Sequence, residues 1–300
     1  MSASSGRRVT VNVGGRALSL SNLDKVLYPD VGFTKAEVID HYSRLAPVIL
    51  PHLRGRPLTV KRYPNGVDGA FFFEKNAPRH TPDWIRTVTL PAPGSTSGRE
   101  TLDYAIVEDL PTLVYFANLA ALELHVPMWR VDGSGAPLPP DTVVFDLDPG
   151  APATVVECCL VASLIRHELD ADGITARPKT SGGKGLQLYA PWDGGDPSAY
   201  AKGIARKLEK RHPASVVSVM TRKARPGRVF IDWSQNSTAK TTVAPYSLRA
   251  QPRPTVSTPL TWDEVERCEE PEDLVFTSAD VLARVEERGD LFAGATGTDL

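Results

Sequence analysis

Two carboxylates, Asp146 and Asp148, stand two residues apart inside the apolar run Val143-Val144-Phe145-Asp146-Leu147-Asp148-Pro149, and Asp232 closes a second run, Val229-Phe230-Ile231-Asp232-Trp233. In a β-strand alternate side chains share a face, so Asp146 and Asp148 project together while Phe145 and Leu147 pack behind them. Carboxylates held that close repel, and the repulsion is relieved when a divalent cation binds both. The pair therefore reads as half of a metal site, with Asp232 as the candidate missing ligand. The competing reading is a strand end with two solvated aspartates.

Other residues fit a polyphosphate partner for such a site. Thr180-Ser181-Gly182-Gly183-Lys184-Gly185-Leu186 is a Gly-rich turn entering a strand. Its glycines permit close approach to phosphate, Ser181 offers a hydroxyl and Lys184 a point charge. It lacks the spacing and following helix of a Walker A loop, and read alone it is equally a tight turn with an exposed lysine. Lys61-Arg62-Tyr63-Pro64-Asn65-Gly66, followed by Phe71-Phe72-Phe73-Glu74-Lys75, places cations beside aromatics across a turn. A base could stack there, or the phenylalanines could form a core strand with at least one facing away. Gln235 follows Asp232 in Asp232-Trp233-Ser234-Gln235-Asn236, and Arg249 stands ready to clamp phosphates or to pair with a carboxylate. His125, Lys25 and Lys35 carry no signal of their own at this level: a structural histidine and two surface lysines.

The elements that must position these groups are partly visible. Thr34-Lys35-Ala36-Glu37 is a capping box opening a helix that Pro51 is expected to stop. A second helix is expected after Pro111, carrying Leu113, Phe116, Ala117, Ala120 and Leu124 and delivering His125 at its end. Further helices fit 153–169 and 197–212, with strands at 58–62, 70–74, 143–147, 186–190 and 229–233. Mixed order without regular βα alternation predicts an α+β fold. The 300 residues are 41% hydrophobic and 23% charged, enough for a sizeable core in one domain with flexible ends at 1–8 and 293–300.

A net charge of −2 provides no global attraction for nucleic acid, but its distribution is uneven. From 220 to 253 the only acid is Asp232, among Arg222, Lys223, Arg225, Arg228, Lys240, Arg249 and Arg253. The segment after it turns acidic, from Asp263 to Asp273. The three cysteines, Cys158, Cys159 and Cys268, give neither a disulfide framework nor paired zinc ligands, and free thiols are expected. No apolar run approaches membrane-spanning length and the first residues lack a secretory signal, so a cytoplasmic location is expected.

In order along the chain, Asn22-Leu-Asp-Lys-Val-Leu-Tyr-Pro, Lys61-Arg-Tyr-Pro-Asn-Gly-Val-Asp, Phe72-Phe-Glu-Lys, His125-Val-Pro, Phe145-Asp-Leu-Asp-Pro, Thr180-Ser-Gly-Gly-Lys-Gly, Asp232-Trp-Ser-Gln-Asn and Ala244-Pro-Tyr-Ser-Leu-Arg form a distinctive set. Together they resemble the primase-like polymerase domain of bacterial nonhomologous end joining, the polymerase module of ATP-dependent DNA ligase D and its stand-alone relatives in the archaeo-eukaryotic primase superfamily. The resemblance covers about Leu20 to Leu291. It implies a compact α+β primase-polymerase fold with the active site between two β-sheets flanked by helices.

The same resemblance implies that Asp146, Asp148 and Asp232 bind two divalent ions, Mn2+ or Mg2+. Ser181, Lys184 and Arg249 would hold the incoming NTP or dNTP, with His125, Gln235 and Lys61 close by and Phe73, with Phe72 beside it, on the base. Lys25 and Lys35 would grip the 5′-phosphate of DNA at a gap or break, and Arg225 would help seat the primer terminus. The implied activity is template-directed primer extension in end joining or gap filling, with ribonucleotides commonly favoured and a nucleoid-associated location. No K-x-D-G motif occurs, so ligation is expected from an ATP-dependent DNA ligase partner, alongside a Ku-like end-binding protein. The same acids would also suit a two-metal nuclease, and a fold that polymerises poorly would leave an end-bridging scaffold. One departure stands out: relatives usually carry Gly-Leu-His after the Gly-rich turn, where this chain has Gly185-Leu186-Gln187, and glutamine donates a hydrogen bond but carries no charge. The turn itself has Gly183 where relatives often have serine.

Overall fold

A computed structural model describes residues 8–92 and 98–297; the outermost residues of both ends expected to be flexible, and 93–97 of a predicted loop, lie outside it. The described chain opens with an antiparallel hairpin, β1 (Arg8–Val13) and β2 (Arg16–Ser21), then a short ribbon, β3 (Val26–Tyr28) and β4 (Phe33–Thr34). Thr34 caps helix α1 (Lys35–Leu53): Glu37 N–H donates to Thr34 Oγ1 at 3.4 Å and Thr34 N–H returns a bond to Glu37 Oε2 at 2.7 Å. Pro51 does not stop this helix, which continues to Leu53 with Pro47 and Pro51 inside it. Each proline forfeits a backbone bond, but Val48, Ile49, His52 and Leu53 are buried by the continuation.

Strands β5 (Thr59–Arg62) and β6 (Phe72–Glu74) pair across the Lys61–Phe73 region, and β7 (Thr87–Pro91) pairs with β8 (Thr101–Ala105). Helix α2 (Leu110–Asn118), capped by Asp109, is shorter than its periodicity predicts. Ala120 takes φ 57°, which breaks the right-handed path, and the chain becomes strand β9 (Ala121–Val126). His125 is therefore a strand residue, not a helix end. Leu122 and Leu124 enter the core while Glu123 and His125 share the opposite face.

The remaining elements are β10 (Thr142–Pro149), α3 (Val155–Ala171), β11 (Arg177–Thr180), β12 (Leu186–Pro191), α4 (Pro197–Arg211), β13 (Val216–Val217), β14 (Val229–Asp232), β15 (Thr242–Val243), α5 (Trp262–Glu266) and α6 (Ser278–Arg288). They complete a five-stranded sheet ordered β11-β12-β10-β14-β13 and a four-stranded sheet ordered β15-β9-β5-β6. Val143, Phe145, Leu147, Leu186, Leu188 and Ile231 pack one face of the first sheet onto α3 and α4. Val60, Leu122 and Leu124 of the second pack onto α1 and α2. The opposite faces, with Asp146 and Gln187 on the first sheet and Glu123 and His125 on the second, lie toward each other and are joined through Lys179 and Arg249, the arrangement the resemblance implied.

Residues 293–297, expected as part of a flexible end, are tied down instead: Ala295 is buried and Gly297 N–H donates to Asp141 O at 3.0 Å. Cys158, Cys159 and Cys268 are buried free thiols.

Candidate active site

β10 and β14 run antiparallel with Asp146 directly opposite Asp232, so strand pairing alone brings the third acid to the first. Asp148 lies two residues along the same face, opposite Phe230. One oxygen from each of the three carboxylates lies within 4.8 Å of the others. Burial pushes Asp146 up to about 7, reinforced by Asp148 and Asp232 and opposed by a hydrogen bond from Gln187. Asp148 is raised for the same reasons, burial first and then Asp232, against the pull of Arg225. Cations approach without closing on the acids: Arg225 Nη1 is 3.8 Å from Asp148 and Lys240 Nζ is 3.9 Å from Asp232. Hard oxygen donors with unneutralised mutual repulsion suit a magnesium- or manganese-type ion.

Neutral donors hold the acids in place. Asp232 Oδ1 accepts from Ser234 N–H at 3.0 Å and from Ser234 Oγ at 2.5 Å, and Oδ2 accepts from Gln235 Nε2 at 2.9 Å. Gln235, expected beside the nucleotide, thus spends its amide on the carboxylate. Gln187 Nε2 donates to Asp146 Oδ1 at 2.9 Å. Beneath it lies Lys179, fully buried, whose Nζ donates to Gln187 Oε1 at 2.5 Å, Ser257 Oγ at 2.7 Å and Val243 O at 3.1 Å. Burial drives the Lys179 amine well below the usual lysine range, with Asp146 opposing and Arg249 assisting. Ser257 gives its own hydrogen to Thr180 O, so all three partners of Lys179 accept, and an ammonium satisfies them where a neutral amine cannot.

A second buried acid organises the nucleotide-side residues. Glu123, on β9, faces His125 Nε2 at 3.0 Å, Arg249 Nε at 3.5 Å and Lys61 Nζ at 3.8 Å, and accepts Ala250 N–H at 3.1 Å. Burial would raise its carboxyl, but the His125 hydrogen bond and the Arg249, His125 and Lys61 charges outweigh it and hold it at about 2. Burial keeps His125 below its ordinary value despite Glu123. Because a carboxylate only accepts, the His125 hydrogen lies on Nε2. Lys61 Nζ also sits 4.1 Å from the Phe71 ring centre and 5.7 Å from that of Phe73, which packs edge-on against His125.

Phe72 does not lie beside Phe73 on this surface. Strand alternation turns it to the other face, where Arg62 lies 5.2 Å from its ring centre. Arg62 also bears on the Lys25 and Lys35 group. Lys35 is buried at the start of α1, with Nζ donating to Ser21 O at 2.6 Å, while Lys25 Nζ reaches Asn65 Oδ1 at 3.0 Å. Burial, then Lys25 and Arg62, lowers Lys35 to about 8. Of the two lysines read as ordinary surface residues, one is therefore a desolvated cation among cations.

The Gly-rich turn joins β11 to β12. Ser181 Oγ accepts from the N–H groups of Gly183 and Gly185, Lys184 is exposed, and Arg249 Nη1 donates to Ser181 O at 3.0 Å. Arg249 therefore ties this turn to Glu123 across the two sheets. The glycines answer to protein contacts as well as to any ligand. A Cβ on Gly182, at φ 68°, would stand 2.5 Å from Arg249 Cγ, and one on Gly185 would stand 2.2 Å from Leu147 O. Arg225, with its guanidinium 3.8 Å above Phe230, leans toward Asp148 from the basic loop.

Sequence reasoning missed Glu123 and Lys179. Reading Leu122-Glu123-Leu124-His125 as a strand would have paired Glu123 with His125 on one face, and a hairpin register through the Gly-rich turn would have set Lys179 opposite Gln187.

A carboxylate triad on one sheet, facing a cationic and aromatic surface on another, suits two-metal phosphoryl-transfer chemistry on a nucleotide. The sequence matches the family described as "LigD, primase-polymerase domain" over residues 34–292, and the chain belongs to that family. It is 44% identical over 285 residues to the multifunctional non-homologous end joining DNA repair protein LigD of Mycobacterium tuberculosis, and 31% identical over 280 residues to the bifunctional non-homologous end joining protein LigD of Bacillus subtilis. Each alignment covers 91% of this chain but only 36% and 43% of those proteins. The solved polymerase domain from Mycobacterium tuberculosis Ligase D in complex with DNA superposes with a TM-score of 0.86 at 42% identity, covering 93% of this chain and 97% of that one.

Proposed function

We propose that the chain acts as one primase-polymerase domain, a template-directed nucleotidyltransferase that extends primer 3′ ends at 5′-phosphorylated gaps or breaks, using NTPs in preference to dNTPs. The observation that carries this reading is the register that sets Asp146 opposite Asp232 with Asp148 on the same face, beside a cationic, aromatic surface. Asp146, Asp148 and Asp232 would hold two divalent ions, Mn2+ or Mg2+, which when bound neutralise phosphate charge and lower the pKa of the primer hydroxyl. The aspartates are ligands, not bases. Lys61, Arg249 and the Ser181–Lys184 turn hold the triphosphate, Phe73 meets the base, and His125 presents its free Nδ1 to the nucleotide. Gln235 contributes by fixing Asp232, and Arg225 seats the primer end near Asp148. Phe72, on the opposite face with Arg62, belongs with the DNA surface. The named activity of the relatives in end joining supports a Ku-like protein and an ATP-dependent DNA ligase as partners, and a place at the bacterial nucleoid. Among the described residues no helix is long and apolar enough to cross a membrane.

A gapped, 5′-phosphorylated duplex incubated with Mn2+ and labelled NTPs tests the reading. Elongation supports it; shortening of the primer would instead make the protein a nuclease, and retention without either would make it a scaffold.

The role of Lys35 makes a separate prediction. With its amine lowered to about 8 by burial, Lys25 and Arg62, it is charged below that pH and loses its proton as the pH rises through it. A 5′-phosphate needs the ammonium form. The preference for 5′-phosphorylated over 5′-hydroxyl DNA should therefore be level below the transition and fall by up to about tenfold per pH unit above it, the limit for one linked proton. Fluorescence-anisotropy titrations from pH 6 to 9.5 check this, and Lys35→Met should both flatten the profile and remove most of the preference.

A further inference from the structure

We propose that Lys179 is a positioning residue for Asp146, acting by locking the orientation of the Gln187 amide. This rests on the reading of Asp146 as a metal ligand. Lys179 sits opposite Gln187 in the β11–β12 ladder and reaches no acid directly among the described residues; its ammonium is consumed by Gln187 Oε1, Ser257 Oγ and Val243 O. A glutamine amide has two orientations that exchange its oxygen and nitrogen. Here the choice is forced from both ends: an ammonium only donates and a carboxylate only accepts. With Oε1 on Lys179, Nε2 must face Asp146, where it donates to Oδ1 at 2.9 Å. The reversed amide would set NH2 against ammonium and oxygen against carboxylate, replacing two hydrogen bonds with two repulsions. Gln187 is itself buried, so bulk water cannot readily supply a substitute partner. Lys179 thus makes a neutral side chain behave as a fixed donor, and Asp146 is left with Oδ2 for an ion.

Simple electrostatics predicts the opposite sign for the same residue. A buried positive charge near a cation site repels the cation, so removing it should tighten metal binding. The orientation lock predicts that removing it loosens metal binding, because Asp146 loses its fixed donor. Lys179→Met, Gln187→Met, the double variant and Asp146→Ala are to be made in the full chain, with folding followed by thermal melting and Mn2+ affinity followed by the electron paramagnetic resonance signal of the free ion. Loss of one fixed donor to a carboxylate should weaken Mn2+ binding about tenfold in Lys179→Met. Gln187→Met should weaken it to the same extent, and the double variant by no more than either alone. Extension by Lys179→Met should fall at low Mn2+ and largely recover at saturating Mn2+.

Unchanged or tighter Mn2+ binding in Lys179→Met, or additive losses in the double variant, overturns the proposal. Should Lys179→Met fail to fold, Gln187→Met still decides: wild-type Mn2+ affinity in that variant overturns it alone. Asp146→Ala separates the two levels. Retained wild-type Mn2+ affinity there removes the metal reading and this inference with it, whereas its loss beside an unaffected Lys179→Met removes only the lock.

Discussion

Alanine at Asp146 or Asp232 is expected to reduce primer extension by roughly a thousandfold or more, which corresponds to about 4 kcal/mol of lost transition-state stabilisation. Each acid supplies one of the three clustered oxygens, and among the described residues no fourth acid joins the cluster to replace it. DNA binding should survive, because Lys25 and Lys35, proposed to grip the 5′-phosphate, lie on a different part of the fold, before β3 and at the start of α1. Gel-shift and extension assays on the same gapped substrate check both halves, and wild-type extension by either variant would remove the mechanism. Stability should move the other way. Asp146 is raised to about 7 by burial and by Asp148, so the folded chain binds this proton more tightly than the unfolded one. Its contribution is therefore intact at low pH and is lost as the pH rises from the ordinary carboxylate range through about 7. At pH 8 without metal, Asp146→Asn removes that repulsion and should raise Tm by roughly 2–4 °C, the shift that about 1 kcal/mol gives in chains near this size. Mn2+ should stabilise the wild type and have little effect on the variant. A catalytically dead but more heat-resistant protein is what a site held together against its own charge produces.

The parts of this arrangement that depend on local periodicity were legible in the sequence. The two-residue spacing of Asp146 and Asp148 fixes their shared face, and the Thr34–Glu37 capping box fixes where α1 begins. The pairing of Asp146 with Asp232 was not, since it depends on which strands become neighbours, and the family resemblance supplied it. Leu113 to Leu124 reads as one helical stripe, and only the positive φ at Ala120 reveals the switch to β9. That conformation belongs to a residue type that seldom adopts it, so no local signal marks it. Glu123 and Lys179 were missed for a different reason. Charged residues are rarely fully buried unless paired, so each reads as surface until its partners are placed, and besides the nearby His125 and Gln187 those partners lie far away in sequence: Arg249 for Glu123, and Ser257 and Val243 for Lys179. The Gly-rich turn was located in the sequence, but the contacts that demand its glycines come from the rest of the chain: Arg249 and Val256 pack against Gly182, and Leu147 against Gly185.

Replacing Glu123 by glutamine is expected to lower kcat for nucleotide addition by roughly ten- to a hundredfold, about 1.4 to 2.7 kcal/mol, with a much smaller change in KM for NTP. Among the described residues Glu123 is the one acid set among Lys61, His125 and Arg249, and it is buried while Lys61 and Arg249 are mostly so. It fixes where those groups point, and its Oε1 also accepts Ala250 N–H, next to Arg249. Without its charge, Lys61 and Arg249 repel one another, and both lose the anchor that aims them at one place. A triphosphate would still be attracted, since the site gains net positive charge, so KM is spared. Alignment is what suffers, and alignment appears in kcat. Breaking a buried charge cluster from one side costs on the order of 3–5 kcal/mol of folding stability, so Tm should fall clearly. The depressed carboxyl adds a check on sign. Held at about 2 against an ordinary value of 4.5, Glu123 contributes stability that is present above the unfolded value and disappears as the pH falls toward 2. Wild type and Glu123→Gln should therefore differ in Tm at pH 7 and converge as the pH is lowered below 4. A variant that keeps its Tm at neutral pH, or that loses activity through KM alone, would show that Glu123 does not organise these cations.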